Sequence, residues 1–141
     1  MRYIGVAKLG PSLRLEANAI TLSNRVWDLI KDALPKVIAN PDDLTARGET
    51  LYGAWLCGTV PGQVGMALHH KLCHTLGGSF DLPHAETHAI ILAHAMAYNA
   101  AAVPDLLEPV SRIFGGPSAG LAIYNFAAAM KAPLALRDLG L

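Results

Sequence analysis

The chain has 141 residues, a formal net charge of +0 at pH 7, and 52% hydrophobic but only 16% charged residues. This length fits one ordinary domain, and the apolar composition excludes an intrinsically disordered protein. Eleven basic residues balance eleven acidic ones, so the chain lacks the basic excess of a nucleic-acid-binding protein. An apolar chain without net charge is poorly soluble alone, and we therefore expect a homo-oligomer.

The first two predicted helices lie before residue 60. An apolar stripe from Leu22 to Ala33 has helical spacing, and Pro35 is expected to end this helix. Asp42 and Asp43 supply acidic capping residues for a second helix, which carries Trp55.

Two further helices are predicted in the middle of the chain. One runs from Gly62 to Leu76 and is expected to stop at Gly77-Gly78. The next follows Pro83 and runs from His84 to about Ala101. Because this helix is apolar on nearly every face, we expect it to be central and buried.

The last two predicted helices are separated by a glycine pair. The fifth starts at Pro104-Asp105 and stops at Gly115-Gly116, and the sixth extends from Pro117-Ser118 to Pro133. The residues of the fifth helix expected to face inward are Leu106, Val110, Ile113 and Phe114. No segment alternates with a period of two, so the predicted fold class is all-α, a helical bundle.

The domain boundaries and the cellular setting follow from the same features. Residues 1–17 match no pattern, and the helical domain is expected to span residues 18–141, truncated at both ends. The uncharged stretch from Leu51 to Leu68 reaches the lower length limit of a membrane helix, but its glycines and proline favour two soluble helices. Two isolated cysteines, Cys57 and Cys73, and no signal sequence indicate a cytoplasmic protein.

All six histidines lie between His69 and His94. His70 with His74, and His84 with His88, have the i, i+4 spacing that places each pair on one helix face. Imidazoles on neighbouring helices can bind a metal through nitrogen or act as acid and base near neutral pH. For any single histidine, the alternative is a core residue that is hydrogen-bonded to a backbone carbonyl.

The stretch from Gly65 to His88 resembles the signature of maleylacetate reductases, a branch of the iron-containing alcohol dehydrogenase family. The pattern of the wider family is matched by His70, His74, Leu76-Gly77 and Pro83-His84. The features similar to the maleylacetate branch are His69-His70, Lys71-Leu72-Cys73, Ala85-Glu86-Thr87-His88, and the flanking stretches 51–56 and 134–140.

The resemblance implies an oxidoreductase that reduces maleylacetate to 3-oxoadipate with NADH or NADPH in the degradation of aromatic compounds. It implies active-site roles for His70, Lys71 and His74. It also places His70 and His84 at the positions of two metal-binding histidines, which hold iron or zinc in metal-dependent relatives. The maleylacetate branch is regarded as working without a catalytic metal. The implied substrate is a small dicarboxylate, which suits the histidines and Lys71 as partners.

The chain departs from the family pattern in three places. It has no strand–glycine–helix unit for a cofactor pyrophosphate, because Gly115-Gly116 follows a predicted helix. No histidine precedes His69, so the upstream Asp and His of the metal-binding relatives have no counterpart. Leu92-Ala93-His94 stands where the family has Leu-Pro-His.

These departures define the expected function and its alternatives. We predict the substrate-side helical domain of such a reductase, inactive without an α/β cofactor domain as its partner. One alternative is a non-catalytic bundle that binds a divalent metal through His70, His74, His84 and His88. Another is an interaction remnant that docks on a separately encoded cofactor domain.

Overall fold

A computed structural model describes residues 13–59 and 67–141, with side chains from residue 25 to 58 and from 67 to 141. The chain forms two compact units, Met1–Gly65 and Met66–Leu141. All regular structure in the described ranges is helical, without a strand, which confirms the all-α prediction. The first helix begins at Leu13, and most of the segment 1–17 lies outside the described residues.

The first unit is a pair of packed helices, α1 (Leu13–Ala39) and α2 (Leu44–Thr59). Val26 and Leu29 of α1 bury their side chains with Leu56 of α2. Gly53 is also buried, and a Cβ placed there would be 3.6 Å from Leu29 Cβ. Removal of these apolar surfaces from water holds the two helices together.

The prediction that Pro35 ends the first helix is wrong, because α1 continues through it to Ala39. A proline inside a helix removes one backbone hydrogen bond and costs about 3 kcal/mol. The helix is regular again after Pro35, since the Asn40 amide donates to the Lys36 carbonyl at 2.8 Å. Packing of α1 against α2 therefore outweighs the local penalty of the proline.

Asp43 caps the start of α2, as predicted from its position. Its Oδ1 accepts a hydrogen bond from the Ala46 amide at 3.0 Å. This contact satisfies one of the amides that a helix N-terminus leaves without an intrahelical partner.

The second unit contains four helices and a short 3-10 helix. Their bounds are α3, Leu68–Phe80; α4, His84–Ala100; α5, Pro104–Phe114; α6, Ala119–Ala129; and the 3-10 helix, Leu136–Leu139. The central element is α4, which packs against all of the others. Its buried residues are Thr87, Ile90, Ile91, Ala93, Ala95 and Met96. The predicted central helix is thus confirmed.

The expected stop at Gly77-Gly78 is wrong, because α3 continues to Phe80. The helix ends instead at Asp81, which adopts the left-handed conformation with φ 52. Aspartate tolerates this region better than most residues, because its short side chain can hydrogen-bond locally. The turn between α3 and α4 is therefore set by Asp81 rather than by the glycines.

The buried face of α5 differs by one position from the predicted one. Leu107 is buried with Val110 and Ile113, whereas Leu106 is 45% exposed. Residues 107, 110 and 113 repeat every three positions and share one helix face. Phe114 is half-buried rather than fully inward.

The turn between α5 and α6 agrees with the sequence. Gly115 and Gly116 have φ values of 74° and 149°, which confirms their role as the stop of α5. Ser118 Oγ accepts a hydrogen bond from the Leu121 amide at 3.4 Å and caps α6.

Gly120 allows α6 to approach α4 very closely. A Cβ at this position would lie 2.7 Å from Ala97 Cβ and 2.9 Å from the Ala93 carbonyl oxygen. Such distances are shorter than van der Waals contact, and one of the clashing atoms is backbone. Glycine is therefore required here by space and not by its φ angle.

In the described parts of the chain, no helix combines the length and the hydropathy needed to cross a membrane. Within the uncharged stretch that begins at Leu51, α2 extends to Thr59. Residues 60–66 lie outside the described ranges.

Candidate functional site

Five of the six histidines form a cluster where α3 packs against α4. His69, His70 and His74 come from α3, and His84 and His88 come from α4. Neighbouring ring centroids are separated by 4.2 Å, between His84 and His88, to 6.2 Å, between His70 and His74. The two predicted i, i+4 pairs thus meet in one place. We call these five residues the imidazole cluster.

His88 lies at the centre of the imidazole cluster. Its ring centroid is 4.9 Å from that of His69, 5.0 Å from that of His70 and 4.2 Å from that of His84. Its Nε2 atom is buried and has no hydrogen-bond partner among the described residues. Burial, and then repulsion between neighbouring imidazolium charges, lowers the pKa of His88 to about 4. The His88 ring is therefore neutral at neutral pH.

Two further imidazoles are biased toward the neutral form. Burial lowers the pKa of His69, although its hydrogen bond to the His88 carbonyl opposes this effect. His69 Nε2 lies 2.9 Å from that carbonyl oxygen. Burial also lowers the pKa of His70, and charges on His69, His74 and His84 lower it further. A neutral imidazole has one donor and one acceptor nitrogen, and the acceptor can bind a metal.

The inner side of the imidazole cluster carries a thiol. Cys73 is 2% exposed, and its Sγ lies 3.9 Å from the Thr87 carbonyl oxygen. The Thr87 side chain is fully buried, and its hydroxyl donates to the Pro83 carbonyl at 2.7 Å. Burial raises the pKa of the Cys73 thiol, and a backbone hydrogen bond partly opposes this rise. The thiol is therefore protonated at neutral pH when no metal or other cation is near.

Three potential metal ligands are gathered on this inner side. One ligand atom each from His69, Cys73 and His88 lies within 4.8 Å of the other two. His74 and His84, in contrast, are exposed at the outer side of the cluster. The cluster therefore has an inner part with a thiol and an outer part that a solute can reach.

The family model described as "Fe-containing alcohol dehydrogenase family, C-terminal" matches residues 13–141. The chain belongs to this family. Maleylacetate reductase from Rhizobium sp. (strain MTP-10005) is 60% identical over 109 residues, which is 77% of this chain and 31% of that protein. The chain thus spans about a third of the length of the curated relatives that it matches.

Solved structures agree with this family membership. The crystal structure of maleylacetate reductase from Agrobacterium tumefaciens matches with a TM-score of 0.82 and 53% identity, covering 86% of this chain and 34% of that one. The iron-containing alcohol dehydrogenase from Corynebacterium glutamicum matches with a TM-score of 0.79 and 38% identity, covering 89% and 35%. Members of the family therefore share the helical fold described above.

The site residues predicted from the family pattern are not all brought together. His70, His74 and His84 belong to the imidazole cluster, and His74 contacts the rings of both others. Lys71 is exposed and lies about 100° around α3 from His70. It therefore points away from the ring contacts. His94 is exposed on α4 and is not in the cluster.

Sequence reasoning assigned no site role to His69 or Cys73, and it gave His88 one only in an alternative. The sequence does carry a signal for two of them, because the doubled His69-His70 and the final histidine of Ala85-Glu86-Thr87-His88 are similar to the maleylacetate branch. Their position at the centre of the site depends on how α3 and α4 pack. Spacing along one helix does not show this.

The Gly115-Gly116 loop differs from a dinucleotide-binding loop. Gly115-Gly116 lies between two helices, and Ser118 uses its hydroxyl to cap α6. A Cβ on Gly116 would be 3.4 Å from Ala122 Cβ, so this glycine is placed by helix packing. The loop therefore lacks the strand-to-helix setting in which glycines hold a pyrophosphate.

Proposed function

We propose that this chain is the histidine-bearing helical part of a maleylacetate reductase, an enzyme that reduces maleylacetate to 3-oxoadipate with NADH or NADPH. The observation that supports this proposal is the imidazole cluster between α3 and α4. It is built from residues that match the sequence pattern of enzymes with that name. The setting would be the bacterial degradation of aromatic compounds.

In such an enzyme, this chain and a second domain would each supply one part of the active site. Residues 18–141 would supply the substrate side of the active site. An α/β domain outside these residues would bind the nicotinamide cofactor, because the described residues contain no fitting cradle for it. This chain alone would therefore have no reductase activity.

The outer part of the imidazole cluster is suited to bind a dicarboxylate. His74 and His84 are exposed, and an imidazole N–H can donate a hydrogen bond to a carboxylate oxygen. Lys71 is also exposed and carries a positive charge next to His70 in the sequence. Because Lys71 points away from the ring contacts of the imidazole cluster, we assign it a role in attracting the negatively charged substrate and not a contact with it.

The chemistry of the reaction gives roles to His70 and His74. When bound, the nicotinamide supplies a hydride to the carbon–carbon double bond that is conjugated with the substrate ketone. Negative charge then develops on the ketone oxygen, and a neutral His70 can donate a hydrogen bond there. His74 is exposed and can transfer a proton from water to the substrate carbon.

A metal ion would use two of the same side chains. His70 and His84 are linked through the rings of His74 and His88, and each offers an imidazole nitrogen. The lowered pKa of His70 favours the neutral form that binds iron or zinc. These two nitrogens would be half of the ligands of a metal site, and the other ligands would come from outside this pair. Such a metal would polarise the substrate carbonyl.

Reconstitution tests this proposal. Residues 13–141 are fused to the part of the Rhizobium sp. relative that this chain does not match, and nicotinamide absorbance is followed with maleylacetate present. The bare chain should show no turnover above background, and the fusion should be active. His74→Ala in the fusion should lower kcat by about 10²–10⁴-fold, as expected for loss of acid–base catalysis. His70→Ala should lower turnover as well.

The matched control is His94→Ala, because His94 is an exposed histidine of α4 that lies outside the imidazole cluster. This variant should retain the turnover of the fusion. Activity of the bare chain, or a fusion that is indifferent to both His70→Ala and His74→Ala, would contradict the proposal.

A further inference from the structure

We infer that His69, Cys73 and His88 form a binding site for a divalent zinc-like metal ion, which joins α3 to α4. This inner site is separate from the pair His70 and His84. It does not depend on the proposed reductase function.

The positions of the three side chains are the first argument. His69 and Cys73 are four residues apart on α3 and share one face, and His88 approaches that face from α4. Their ligand atoms lie within 4.8 Å of one another. Ligands of a tetrahedral zinc ion are about 3.5 Å apart when Zn–N is about 2.0–2.1 Å and Zn–S about 2.3 Å. Side-chain rotations that move each atom by roughly 1 Å would therefore complete the site.

The unpartnered nitrogen of His88 is an independent argument. Its Nε2 is buried and has no hydrogen-bond partner among the described residues. Buried polar atoms are nearly always satisfied, and an exception calls for an explanation such as a bound ion. A metal bound through this nitrogen would give it a partner.

The hydrogen bond of His69 leaves one of its two ring nitrogens free to bind a metal. Its Nε2 lies 2.9 Å from the His88 carbonyl oxygen, and a carbonyl can only accept. The hydrogen is therefore on Nε2, and the lone pair of His69 is on Nδ1. Metal-binding histidines commonly donate their second nitrogen to a backbone carbonyl in this way, which fixes the orientation of the ring.

The donor atoms select the class of metal. Two imidazole nitrogens and one sulfur suit zinc, or cobalt as its substitute, whereas magnesium and calcium prefer oxygen ligands. Binding replaces the proton of the Cys73 thiol by the metal and releases that proton to solvent.

Cobalt(II) absorption tests the site in the complete 141-residue chain. The metal-free protein is titrated with Co²⁺ under anaerobic conditions, and the thiolate-to-cobalt charge-transfer band in the near ultraviolet is recorded. We expect one cobalt per chain and a band that Zn²⁺ removes by competition. Cys73→Ser should abolish the band, and Cys57→Ser should leave it unchanged. Cys57 is a matched control because it is the only other cysteine.

Two further variants locate the metal within the imidazole cluster. His88→Gln removes a metal ligand. It should weaken cobalt binding by more than about 10–100-fold, which is the loss expected when a residue that only hydrogen-bonds to a ligand is removed. His84→Gln should leave the charge-transfer band in place, because His84 belongs to the outer part. Cobalt binding without the band, a band that survives Cys73→Ser, or no binding at all would overturn the inference.

One measurement does not depend on a variant that folds. X-ray absorption of the zinc-loaded, unsubstituted chain should show one sulfur at about 2.3 Å and at least two nitrogens at about 2.0–2.1 Å. A zinc shell with only nitrogen and oxygen would place the metal at His70 and His84 and would overturn the inner site.

Discussion

The two ends of α4 are built in different ways. Near its N-terminus, Thr87 and His88 meet the thiol and imidazoles of α3, and the buried Nε2 of His88 has no hydrogen-bond partner among the described residues. Toward its C-terminus, Ala93 and Ala97 meet Gly120 of α6 so closely that no side chain fits between them. The first contact contains reactive groups, whereas the second contains almost nothing but backbone and methyl groups.

One end of α4 therefore contributes mainly to the stability of the fold, and the other end carries the groups that can take part in chemistry. Close apolar packing near Gly120 can fix the position of α4, because small residues let two helices approach and gain dispersion contacts. The imidazole end carries a local cost, since a buried polar atom without a partner is unfavourable. We therefore expect substitutions at the apolar end to have the larger effects on stability.

Met96→Ala is expected to have the largest effect. Met96 is 0% exposed in the second half of α4, and a buried methionine replaced by alanine loses about 2–5 kcal/mol of unfolding free energy. Urea denaturation followed by circular dichroism measures this loss. Tyr98→Ala is the control, because Tyr98 is 64% exposed on the same helix, and its effect should stay within about 0.5 kcal/mol. Equal losses in both variants would show that α4 is not the central helix.

Gly120→Ala should destabilise the chain by about 1–3 kcal/mol, the usual cost of overpacking. The added methyl group would lie 2.9 Å from the Ala93 carbonyl oxygen, which cannot move without its helix. In Gly78→Ala, by contrast, the new Cβ would meet nothing within 4 Å. This second variant should gain up to about 1 kcal/mol, because alanine is the better helix former. The melting temperatures of both variants, measured by thermal unfolding, test these changes. A Gly120→Ala protein as stable as the unsubstituted chain would contradict the close approach of α6 to α4.

The pH dependence of stability tests the imidazole end. The folded chain holds the pKa of His88 at about 4, below its usual value of 6.5. The unfolded chain therefore binds more protons between these values, and stability should fall as pH drops from about 6.5 toward 4. Above this range, the contribution of His88 is constant. Melting temperatures between pH 5 and 7.5, with a chelator present, measure the slope.

His88→Gln should make this pH slope shallower, because the variant lacks the central imidazole. His94→Gln serves as its control and should retain the slope of the unsubstituted chain. A slope that is the same in all three proteins would mean that His88 is not buried in the imidazole cluster.

Thr87→Val is expected to have the smallest effect, a loss of about 0.5–1.5 kcal/mol for one hydrogen bond. The Thr87 hydroxyl donates to the Pro83 carbonyl, which also accepts the Thr87 amide at 3.0 Å and so keeps one partner. Thr75→Val is the control, because Thr75 makes the same type of bond to Lys71 at an exposed position. Chemical denaturation should show a larger loss for Thr87→Val. The reverse order would contradict burial at the imidazole end.

Most of the fold could be predicted from local sequence patterns. Capping residues and prolines mark real helix starts at Asp43, Pro104 and Ser118. The wrong predictions of helix ends concern residues whose effect depends on tertiary packing. Pro35 and Gly77-Gly78 have a poor intrinsic helix propensity, yet the helices continue through them. Local propensity is a weak guide wherever tertiary contacts favour another outcome.

The candidate site was predictable to a lesser degree. Helical spacing paired His70 with His74 and His84 with His88, because that relation exists within a single helix. The central position of His88 and its contact with His69 arise between helices and depend on their rotation about their axes. The burial of Cys73 beside Thr87 has the same origin.

The imidazole cluster is contiguous in the chain, since all of its members fall between His69 and His88. Many active sites assemble residues from distant parts of a sequence, and a rearrangement of the gene then destroys them. Here one helical hairpin carries the whole group, and its short turn at Asp81 holds the two helices in register. Such a segment can be inherited as a unit. Recombination on either side of this segment would leave the five histidines together.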